Sequence, residues 1–196
     1  MSTPAPLFAA GPYRAVELAE ADIPRLQGFF EANPRYHLEV EGKAPGPDTA
    51  HEEFHSLPPP GWPFTRKWVL AFEDPRGAMA GMAGLLSDLH APHVWNIGLF
   101  AVATGLHGSG AAHVLHGALE AWMRGNGARW LRLGVVQGNA RAERFWEKSG
   151  YVEARRRGGY AVGERTATLR VMVKLPPAGT LAEYLAHVPR DRPESP

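Results

Sequence analysis

One stretch constrains the fold more than any other part of the chain. Residues 95–112 read WNIGLFAVATGLHGSGAA, an apolar run that leads through a short turn and a glycine-rich loop into an amphipathic segment. Gly108 and Gly110 lack the Cβ atoms that would keep neighbouring N–H groups from converging on one point. The predicted helix adds its unpaired N-terminal donors and the positive end of its dipole. This corner is therefore predicted to attract an anion.

The segment after the loop is predicted to be a helix. Its apolar residues recur at three- and four-residue spacing over about four turns, whereas His116, Glu120 and Arg124 fall on the opposite face. Gly125 and Gly127 supply a stop signal. Because a strand, a glycine turn and a helix are also ordinary α/β architecture, the glycine pair alone does not identify a phosphate site.

A second motif follows the strand candidate Trp130–Val136 and reads GNARAERFWEKSGY. Together the two segments resemble the GCN5-related N-acetyltransferase (GNAT) superfamily. Its signature is a Gln/Arg-x-x-Gly-x-Gly/Ala pyrophosphate loop followed by Asn-x-x-Ala-x-x-Phe-Tyr-Glu-Lys-x-Gly-Phe. The matching positions are His107–Ala112 and Asn139–Tyr151. The resemblance is strongest over residues 95–151 and extends less specifically over residues 13–175.

The resemblance implies an α/β, single-domain acetyltransferase fold with a mixed, mostly antiparallel central sheet of about six or seven strands flanked by helices. The N-acetyltransferase domain is expected over residues 13–175. Pro, Ala and Gly suggest a loose lead-in over residues 1–12, and a Pro-rich C-terminal tail occupies residues 176–196. We expect this tail to be disordered or packed on a neighbouring subunit, with Thr180–His187 as a short helix candidate.

Between the motifs, periodicity and turn residues place the remaining elements. Helices are expected to start at Asp22 and to span Asp48–Ser56, within a long, otherwise irregular segment at residues 33–64. Gly158-Gly159 and Gly163-Glu164 are read as breaks near the end of the domain. The other strand candidates are Tyr13–Leu18, Trp68–Phe72, Met79–Leu86, Val94–Val102, Tyr151–Arg157 and Ala167–Leu175.

By the resemblance, acetyl-CoA is the co-substrate, and each contact is carried over from a matched position. The positions are Leu99, Phe100, Ala101 and Val102 for the pantetheine arm; His107, Gly108, Ser109, Gly110, Ala111 and Ala112 for the pyrophosphate; Asn139 for the other side of the arm; and Phe145 and Trp146 for the reactive end. Direct transfer of the acetyl group to a primary amine of a small molecule or peptide, within one ternary complex, is the implied reaction.

Three positions depart from the family pattern. His107 replaces the leading Gln or Arg of the loop, and a free imidazole titrates near 6.5. Trp146 replaces the tyrosine that many members use to protonate the leaving thiolate, and an indole N–H does not give up its proton. Asn96 stands where histone-modifying members place a glutamate base, so we predict either a water relay positioned by Asn96 and a distant acid, or an acceptor amine of low pKa. Tyr151 is an available phenol for the acid.

The segment at residues 33–64 corresponds by resemblance to the wall of the acceptor site. Its aromatic residues are therefore candidates for acceptor binding, although they could equally form a satellite core under the loop. The substrate-binding candidates are Tyr36, His37 and Trp62, with Phe54 and Phe64 beside them, and Trp95 at the start of the central strand.

Two alternatives come from other functional classes. An acetyltransferase fold that binds acetyl-CoA without efficient catalysis is one, since fold does not guarantee function. A zinc hydrolase is the other, because His51, Glu52 and His55 match the His-Glu-x-x-His pattern. The helix candidate ends soon afterwards in Pro58-Pro59-Pro60, and no further histidine ligand follows at the usual spacing. We therefore expect no metal site.

Bulk properties limit the remaining classes. The chain has 196 residues and no cysteine, so it has neither a disulfide nor a thiolate metal site. With 21 basic and 20 acidic side chains and no sustained basic run, we expect neither a nucleic acid nor a membrane partner. The N-terminus lacks the pattern of a signal peptide. We expect a cytoplasmic enzyme and leave a homodimer open.

Overall fold

A computed structural model describes residues 5–162 and 165–195. The strands are β1 Phe8–Ala10, β2 Tyr13–Glu17, β3 Arg66–Glu73, β4 Met79–Ser87, β5 Val94–Val102, β6 Trp130–Val136, β7 Val152–Val162 and β8 Arg165–Lys174. The helices are α1 Ile23–Ala32, α2 Arg35–Val40, α3 Thr49–His55, α4 Ala111–Gly125, α5 Ala140–Lys148 and α6 Leu181–His187, with short 3-10 turns at Glu20–Asp22, Thr104–Leu106 and Pro189–Asp191.

All eight strands belong to one sheet in the order β1-β2-β3-β4-β5-β6-β8-β7. Every neighbouring pair is antiparallel except β5 and β6, which run parallel. The parallel pairing extends only from Val94 and Trp130 to Ile97 and Leu133. Beyond that point β5 stays paired to β4, and β6 stays paired to β8. The two central strands therefore separate and open a cleft in the middle of the sheet.

A bulge in β5 lies at the start of this cleft. Gly84 of β4 pairs with Leu99, but the next residue, Leu85, pairs with Ile97, so Gly98 is the extra residue. A bulge changes which face the following side chains occupy. Before it Trp95 and Ile97 belong to the main core cluster, whereas after it Phe100 does so.

Helices cover both faces of the sheet. On one face α4 buries Leu115, Leu119 and Met123 completely, and each such side chain contributes about 1.5–3 kcal/mol when removed from water. These residues share a cluster with Trp146 of α5. On the other face α1 and α3 pack over β2 to β5, and α6 packs against Trp130 and neighbouring strand residues. Each layer uses one side of the strand alternation.

The fold class predicted from sequence is confirmed, with eight strands in place of six or seven. The additional strand is β1, within the segment expected to be a loose lead-in, where Ala10 is fully buried. A hairpin at Gly11 joins β1 to β2. Helix α2 was also not predicted, because Asn33 and Pro34 were read as the start of an irregular segment.

The predicted breaks in the last hairpin have different outcomes. At Gly158-Gly159 the strand continues, and the register with β8 shifts between Arg157 and Tyr160. Gly163-Glu164 lies outside the described residues.

The C-terminal tail packs on its own chain, which corrects the expectation of disorder or docking on a neighbour. Thr180 caps α6 by accepting a hydrogen bond from the Glu183 main-chain N–H at 3.2 Å. Tyr184 and Asp191 are fully buried. Asp191 accepts hydrogen bonds from Arg132 of β6 at 2.7 and 3.1 Å. The tail is therefore part of the core.

Candidate functional site

The opening between β5 and β6 forms a cavity of about 550 Å³, within the range of small-molecule sites. It runs from the point of strand separation, at Ile97 and Leu133, to the first turn of α4. Its walls comprise Phe29, Phe30 and Asn33; Arg35, Tyr36, Glu39 and Val40; Ile97, Gly98, Phe100, Ala101 and Val102; Thr104, Leu106, His107, Gly108, Gly110, Ala112 and His113; Leu133–Val136; and Asn139, Arg141, Ala142, Phe145 and Trp146.

The loop before α4 presents free main-chain donors to this cavity. Gly108 and Gly110 have φ angles of 82° and 87°, the left-handed region that glycine adopts without strain. In the described part of the chain, no acceptor lies within hydrogen-bonding distance of the N–H groups of Gly108, Gly110 or Ala112. A Cβ at either glycine would meet no described atom within 4 Å. Three unpaired donors therefore belong to residues that line the cavity where the helix dipole is positive.

Two arginines lie at this end of the cavity, and of these Arg141 makes no ion pair among the described residues, whereas Arg35 is paired with Glu39. Arg141 Nη1 of α5 donates to His107 Nδ1 at 3.0 Å. His107 Nε2–H donates to the Val102 carbonyl oxygen at 3.0 Å, and Arg141 Nη2 lies 3.2 Å from the same Nε2. Arg35 of α2 lines the same wall and pairs with Glu39 at 2.6 Å. Burial lowers the pKa of His107, as do the nearby Arg141 and Arg35 charges, while the Val102 hydrogen bond opposes this. His107 is thus a neutral imidazole near pH 7.

Aromatic side chains line the middle of the cleft. The rings of Phe100 and Phe145 stack with centroids 6.0 Å apart, and Trp146 packs edge-on against both. Trp146 is only 7% exposed, so one edge of the indole faces the cavity while the rest belongs to the core. This surface is apolar and rigid, and it can exclude water from a reacting group.

Asn139 joins the end of β6 to α5. Its side-chain oxygen caps the helix by accepting a hydrogen bond from the Ala142 N–H at 3.1 Å. The oxygen is therefore already used, whereas its Nδ2 has no acceptor among the described residues. The side chain can donate to a ligand in the cavity.

Most of the predicted cofactor residues come together in this cavity, and three do not line it. Leu99 packs on the opposite side of β5 with α1 and α3. Ser109 donates to the Leu106 carbonyl at 2.7 Å, and Ala111 is buried. The predicted residues that line the cavity are Phe100, Ala101, Val102, His107, Gly108, Gly110, Ala112, Asn139, Phe145 and Trp146.

The structure places the two predicted catalytic residues outside the cavity walls. Asn96 is 8% exposed, and its Oδ1 accepts a hydrogen bond from Arg132 at 2.8 Å, next to Asp191. Tyr151 lies in the core and hydrogen-bonds His116 at 3.1 Å. Burial raises the pKa of Tyr151 and lowers that of His116 to about 4. Neither prediction fits the geometry, because both polar groups are engaged in structural contacts.

Of the four predicted acceptor residues, only Tyr36 lines the cavity. His37 lies behind it, 1% exposed, with its ring edge-on to Phe30. Trp62 stacks near His90 and carries Arg190 over its ring, away from the cleft. Trp95 is a core residue between Trp68 and Trp122, because strand alternation turns it toward α4. The structure therefore places neither Trp62 nor Trp95 at the cleft.

A second cavity of about 430 Å³ lies between α2 and α3. His37, Glu41, Glu52 and Glu53 line it, together with Leu99 of β5. Helix α2 separates the two cavities, since Tyr36 and Val40 face the first one while His37 faces the second.

The zinc-binding pattern on α3 does not extend to a ligand set. His51 and His55 share one face, with ring centroids 4.4 Å apart, and both are exposed. Across residues 5–162 and 165–195, no group of three or more His, Cys, Asp or Glu side chains is arranged to hold a metal ion. The pattern is therefore a pair of surface histidines.

Sequence reasoning missed the two arginines of the site. Arg141 stands inside the second motif, where its position one turn into α5 carried a usable signal. Arg35 carried none, because α2 itself was not predicted.

Comparisons with known proteins agree with this geometry. The sequence model of the Acetyltransferase (GNAT) family matches residues 25–151. No curated protein sequence gives a significant match. The helices found in the two described ranges include none that is long and apolar enough to cross a membrane.

Several solved structures share the fold. One is a spermidine N-acetyltransferase from Vibrio cholerae in complex with CoA and spermine, with a TM-score of 0.63, 17% identity and coverage of 85% of this chain and 96% of that chain. Another is the ribosomal-protein-S18-alanine N-acetyltransferase from Escherichia coli, with a TM-score of 0.62, 18% identity and coverage of 85% and 96%. A GCN5-related N-acetyltransferase from Kribbella flavida has a TM-score of 0.61, 19% identity and coverage of 85% and 99%.

Proposed function

Because the chain belongs to the acetyltransferase (GNAT) family, we propose that it is an acetyl-CoA-dependent N-acetyltransferase. It moves an acetyl group from acetyl-CoA to a primary amine of a small molecule or peptide by direct transfer in a ternary complex. The observation that carries this proposal is the set of unpaired N–H groups of Gly108, Gly110 and Ala112 at one end of the cleft.

Features along the whole cleft support acetyl-CoA as the donor. The loop donors and Arg141 suit a pyrophosphate, because main-chain N–H groups and guanidinium groups form strong hydrogen bonds to phosphate oxygens. Past Ile97 the facing edges of β5 and β6 are unpaired, so an extended pantetheine arm can add to them as a strand would. The Asn139 amide can donate to the same arm. The thioester would then lie by Phe100 and Trp146.

Holding both reactants in one cleft makes the attack of the amine effectively unimolecular. The amine must be neutral to attack. For a lysine-like amine of pKa about 10.4, roughly one molecule in 2,500 is neutral at pH 7, a cost of about 4.6 kcal/mol. An α-amino group near 7.8 costs only about 1 kcal/mol. Since Asn96 is bound to Arg132, a water relay through it has no support, and the acceptor either has a low pKa or loses its proton to another group.

The fold neighbours include enzymes for both kinds of acceptor. One is named for spermidine, an alkyl polyamine, and another for an alanine of ribosomal protein S18. We propose an amine of one of these classes and take the cytoplasm as its location. We test spermidine, lysine amide and alanine amide by thiol release from acetyl-CoA. Spermidine and alanine amide distinguish the two classes, whereas lysine amide carries an amine of each class.

Substitution of Gly110→Glu tests the donor site. The added carboxylate would occupy and repel the pyrophosphate, so we expect acetyl-CoA affinity by calorimetry to fall by about 100-fold or more, an effect of about 3 kcal/mol. Gly110→Ala separates charge from backbone strain at this positive φ, and Gly117→Glu places the same charge on the exposed side of α4. Full affinity in Gly110→Glu contradicts the loop assignment.

A binding module without efficient catalysis is the second candidate. The burial of Asn96 and Tyr151 in structural contacts favours it, since neither can act as acid or base in the cleft. Tight acetyl-CoA binding without thiol release in the presence of any amine of the panel would establish this alternative.

A further inference from the structure

Glu53 of α3 lies against the central sheet at the level of the β5 bulge. A Cβ built on Gly84 of β4 would clash with the Glu53 Oε1, so glycine at this position leaves room for the carboxylate where it now lies. Gly84 pairs with Leu99, and its carbonyl oxygen lies beside Gly98, which lines the first cavity. The Glu53 carboxylate therefore lies against the part of β4 that pairs with β5 at the edge of the cleft.

The Glu53 carboxylate makes no hydrogen bond or ion pair, among the described residues, that would explain its position. The nearby ammonium of Lys67 donates instead to the Glu53 and Ser56 main-chain oxygens and to Ser56 Oγ. Glu53 is partly buried, and a half-buried carboxylate without donors is costly. Such a group is a candidate for a functional role.

Glu53 opens onto the second cavity, which borders the cleft at the β5 bulge, where Leu99 lines the second cavity and Gly98 lines the first. The cavity walls carry more acidic than basic groups, with Glu41 and Glu52 beside Glu53 and Lys43 opposite. His37 lines the same cavity, and its Nδ1 is buried without a hydrogen-bond partner in the described chain. Unsatisfied polar atoms in a cavity of this size suit a polar, cationic ligand.

We propose that the acceptor amine enters through the second cavity and that Glu53 is the general base that removes its proton. This inference rests on the proposed acetyltransferase function. Glu53 takes one proton from the ammonium group directly or through one water molecule. The neutral nitrogen then attacks the thioester carbonyl carbon, the C–N bond forms and the C–S bond breaks. The sulfur leaves with the electron pair and takes up the second amine proton, and Glu53 releases its proton to solvent.

The charges around Glu53 suit this role. Burial raises the pKa of the Glu53 carboxyl, and the Glu41 charge adds to the effect, while Lys67 opposes it. A carboxylate with a raised pKa is a better proton acceptor near neutral pH. The other titratable groups nearby are Tyr36, whose pKa is raised chiefly by burial, and His37, whose pKa is lowered by burial. Both are neutral near pH 7.

The test uses the full chain with acetyl-CoA and the best acceptor among spermidine, lysine amide and alanine amide. Glu53→Gln keeps the shape but cannot accept a proton, so we expect kcat/KM at pH 7 to fall by about 100-fold. The affinity for acetyl-CoA by calorimetry should stay within about twofold. For an alkyl amine, the difference in kcat/KM between wild type and Glu53→Gln should narrow as the pH rises toward the amine pKa, because more of the amine is then already neutral in solution. Glu20→Gln, on an exposed side chain, is the matched control.

A second variant tests the geometry without removing the acid. Gly84→Ala places a methyl group where the carboxylate lies, and a flexible side-chain end can move away from it. We expect kcat/KM to fall by about tenfold or more, with the thermal midpoint and acetyl-CoA affinity nearly unchanged. This variant keeps the proposal testable if Glu53→Gln fails to fold.

The outcomes separate this inference from the proposed function. A wild-type protein that turns over an amine while Glu53→Gln and Gly84→Ala keep full activity and an unchanged pH profile overturns the role of Glu53 alone. A wild-type protein without turnover on any amine of the panel overturns both. Loss of activity in Glu53→Gln that does not narrow with pH shows a structural role and also overturns the inference.

Discussion

At the scale of single residues, Arg141 and His107 lie together at the end of the cleft that we propose for the pyrophosphate. His107 is neutral near pH 7 because burial and the neighbouring arginines lower its pKa. Arg141 therefore supplies the positive charge. Replacing Arg141→Gln should weaken acetyl-CoA binding by about tenfold, since a charge-assisted hydrogen bond to phosphate is worth about 1.5–3 kcal/mol. Calorimetry at two salt concentrations measures this effect.

The control for this prediction is on the same helix. Arg144 lies three residues further along α5, is exposed and does not line the cavity. Arg144→Gln should change the affinity by less than about twofold. The loss of acetyl-CoA affinity in Arg141→Gln should also become smaller at high salt, because salt screens exposed charges. Equal effects of the two variants would show that Arg141 acts only through general positive charge.

The same scale shows what sequence can predict about a site. The loop glycines and Asn139 line the cavity as predicted, because main-chain geometry and a helix cap demand particular residue types there, and their role in cofactor binding stays a prediction. Trp62 and Trp95 were misplaced because an aromatic residue suits a core as well as a pocket, and only the strand faces decide between them. The structural contact of Asn96 could not be predicted either, since its partner Arg132 lies on β6, a strand that sequence alone does not place next to β5.

At the scale of elements, Arg170 of β8 connects α5 to the last hairpin. Its guanidinium pairs with Glu143 and Glu147 of α5 at 3.2 and 3.0 Å and with Glu153 of β7 at 2.6 Å. The Arg170 side chain is 13% exposed, so these pairs are less screened than surface pairs. We expect Arg170→Gln to lower the free energy of unfolding by about 2 kcal/mol. Chemical denaturation measures the loss.

Arg156 offers a matched comparison, because it also pairs with Glu153, at 2.8 Å, but is 55% exposed. Arg156→Gln should cost no more than about 0.5 kcal/mol, as is usual for surface ion pairs. Similar losses in the two variants would mean that the Arg170 network contributes no more than a surface pair. Since α5 also carries Asn139 and Trp146, loosening this network should raise the Kd for acetyl-CoA.

Elements with a long, regular pattern were predicted well, and those defined by tertiary contacts were not. Helix α4 has 15 residues, and its apolar periodicity and glycine stop signal predicted an end at Gly125, where the helix ends in the structure. Helix α2 has only 6 residues and β1 only 3. Such short elements are stabilised by what they pack against, and local propensity contributes little to them. The β5 bulge depends likewise on the pairing with β4.

At the scale of the whole molecule, the C-terminal tail packs against β5 and β6 where these two strands are still paired. Arg132 of β6 donates to Asp191 of the tail and to Asn96 of β5, and Tyr184 donates to Asp191 at 2.6 Å. Arg155 of β7 donates to the main-chain oxygens of residues 190 and 195, at 2.7 and 2.6 Å. The last residues of the chain thus hold the strands that define the cleft.

The buried ion pair gives this arrangement a distinct dependence on pH. Burial alone would raise the pKa of Asp191. The charge and hydrogen bonds of Arg132 lower this pKa by more than burial raises it, so the pKa in the folded protein is below its usual value. A carboxyl whose pKa is lower in the folded state stabilises the fold above its unfolded pKa of about 3.9. That contribution is lost as the pH falls through the folded pKa.

Asp191→Asn tests the role of the tail. It leaves the Arg132 charge buried without an anion, which costs about 3–5 kcal/mol. We expect urea unfolding at pH 7 to show this loss, and the gap between wild type and variant to shrink below about pH 4 as Asp191 is protonated. Glu194→Gln, an exposed position in the same tail, should change neither. A gap that stays constant between pH 7 and pH 3 would mean that the tail is held by apolar contacts of Tyr184 and Val188 and that the ion pair adds no net stability.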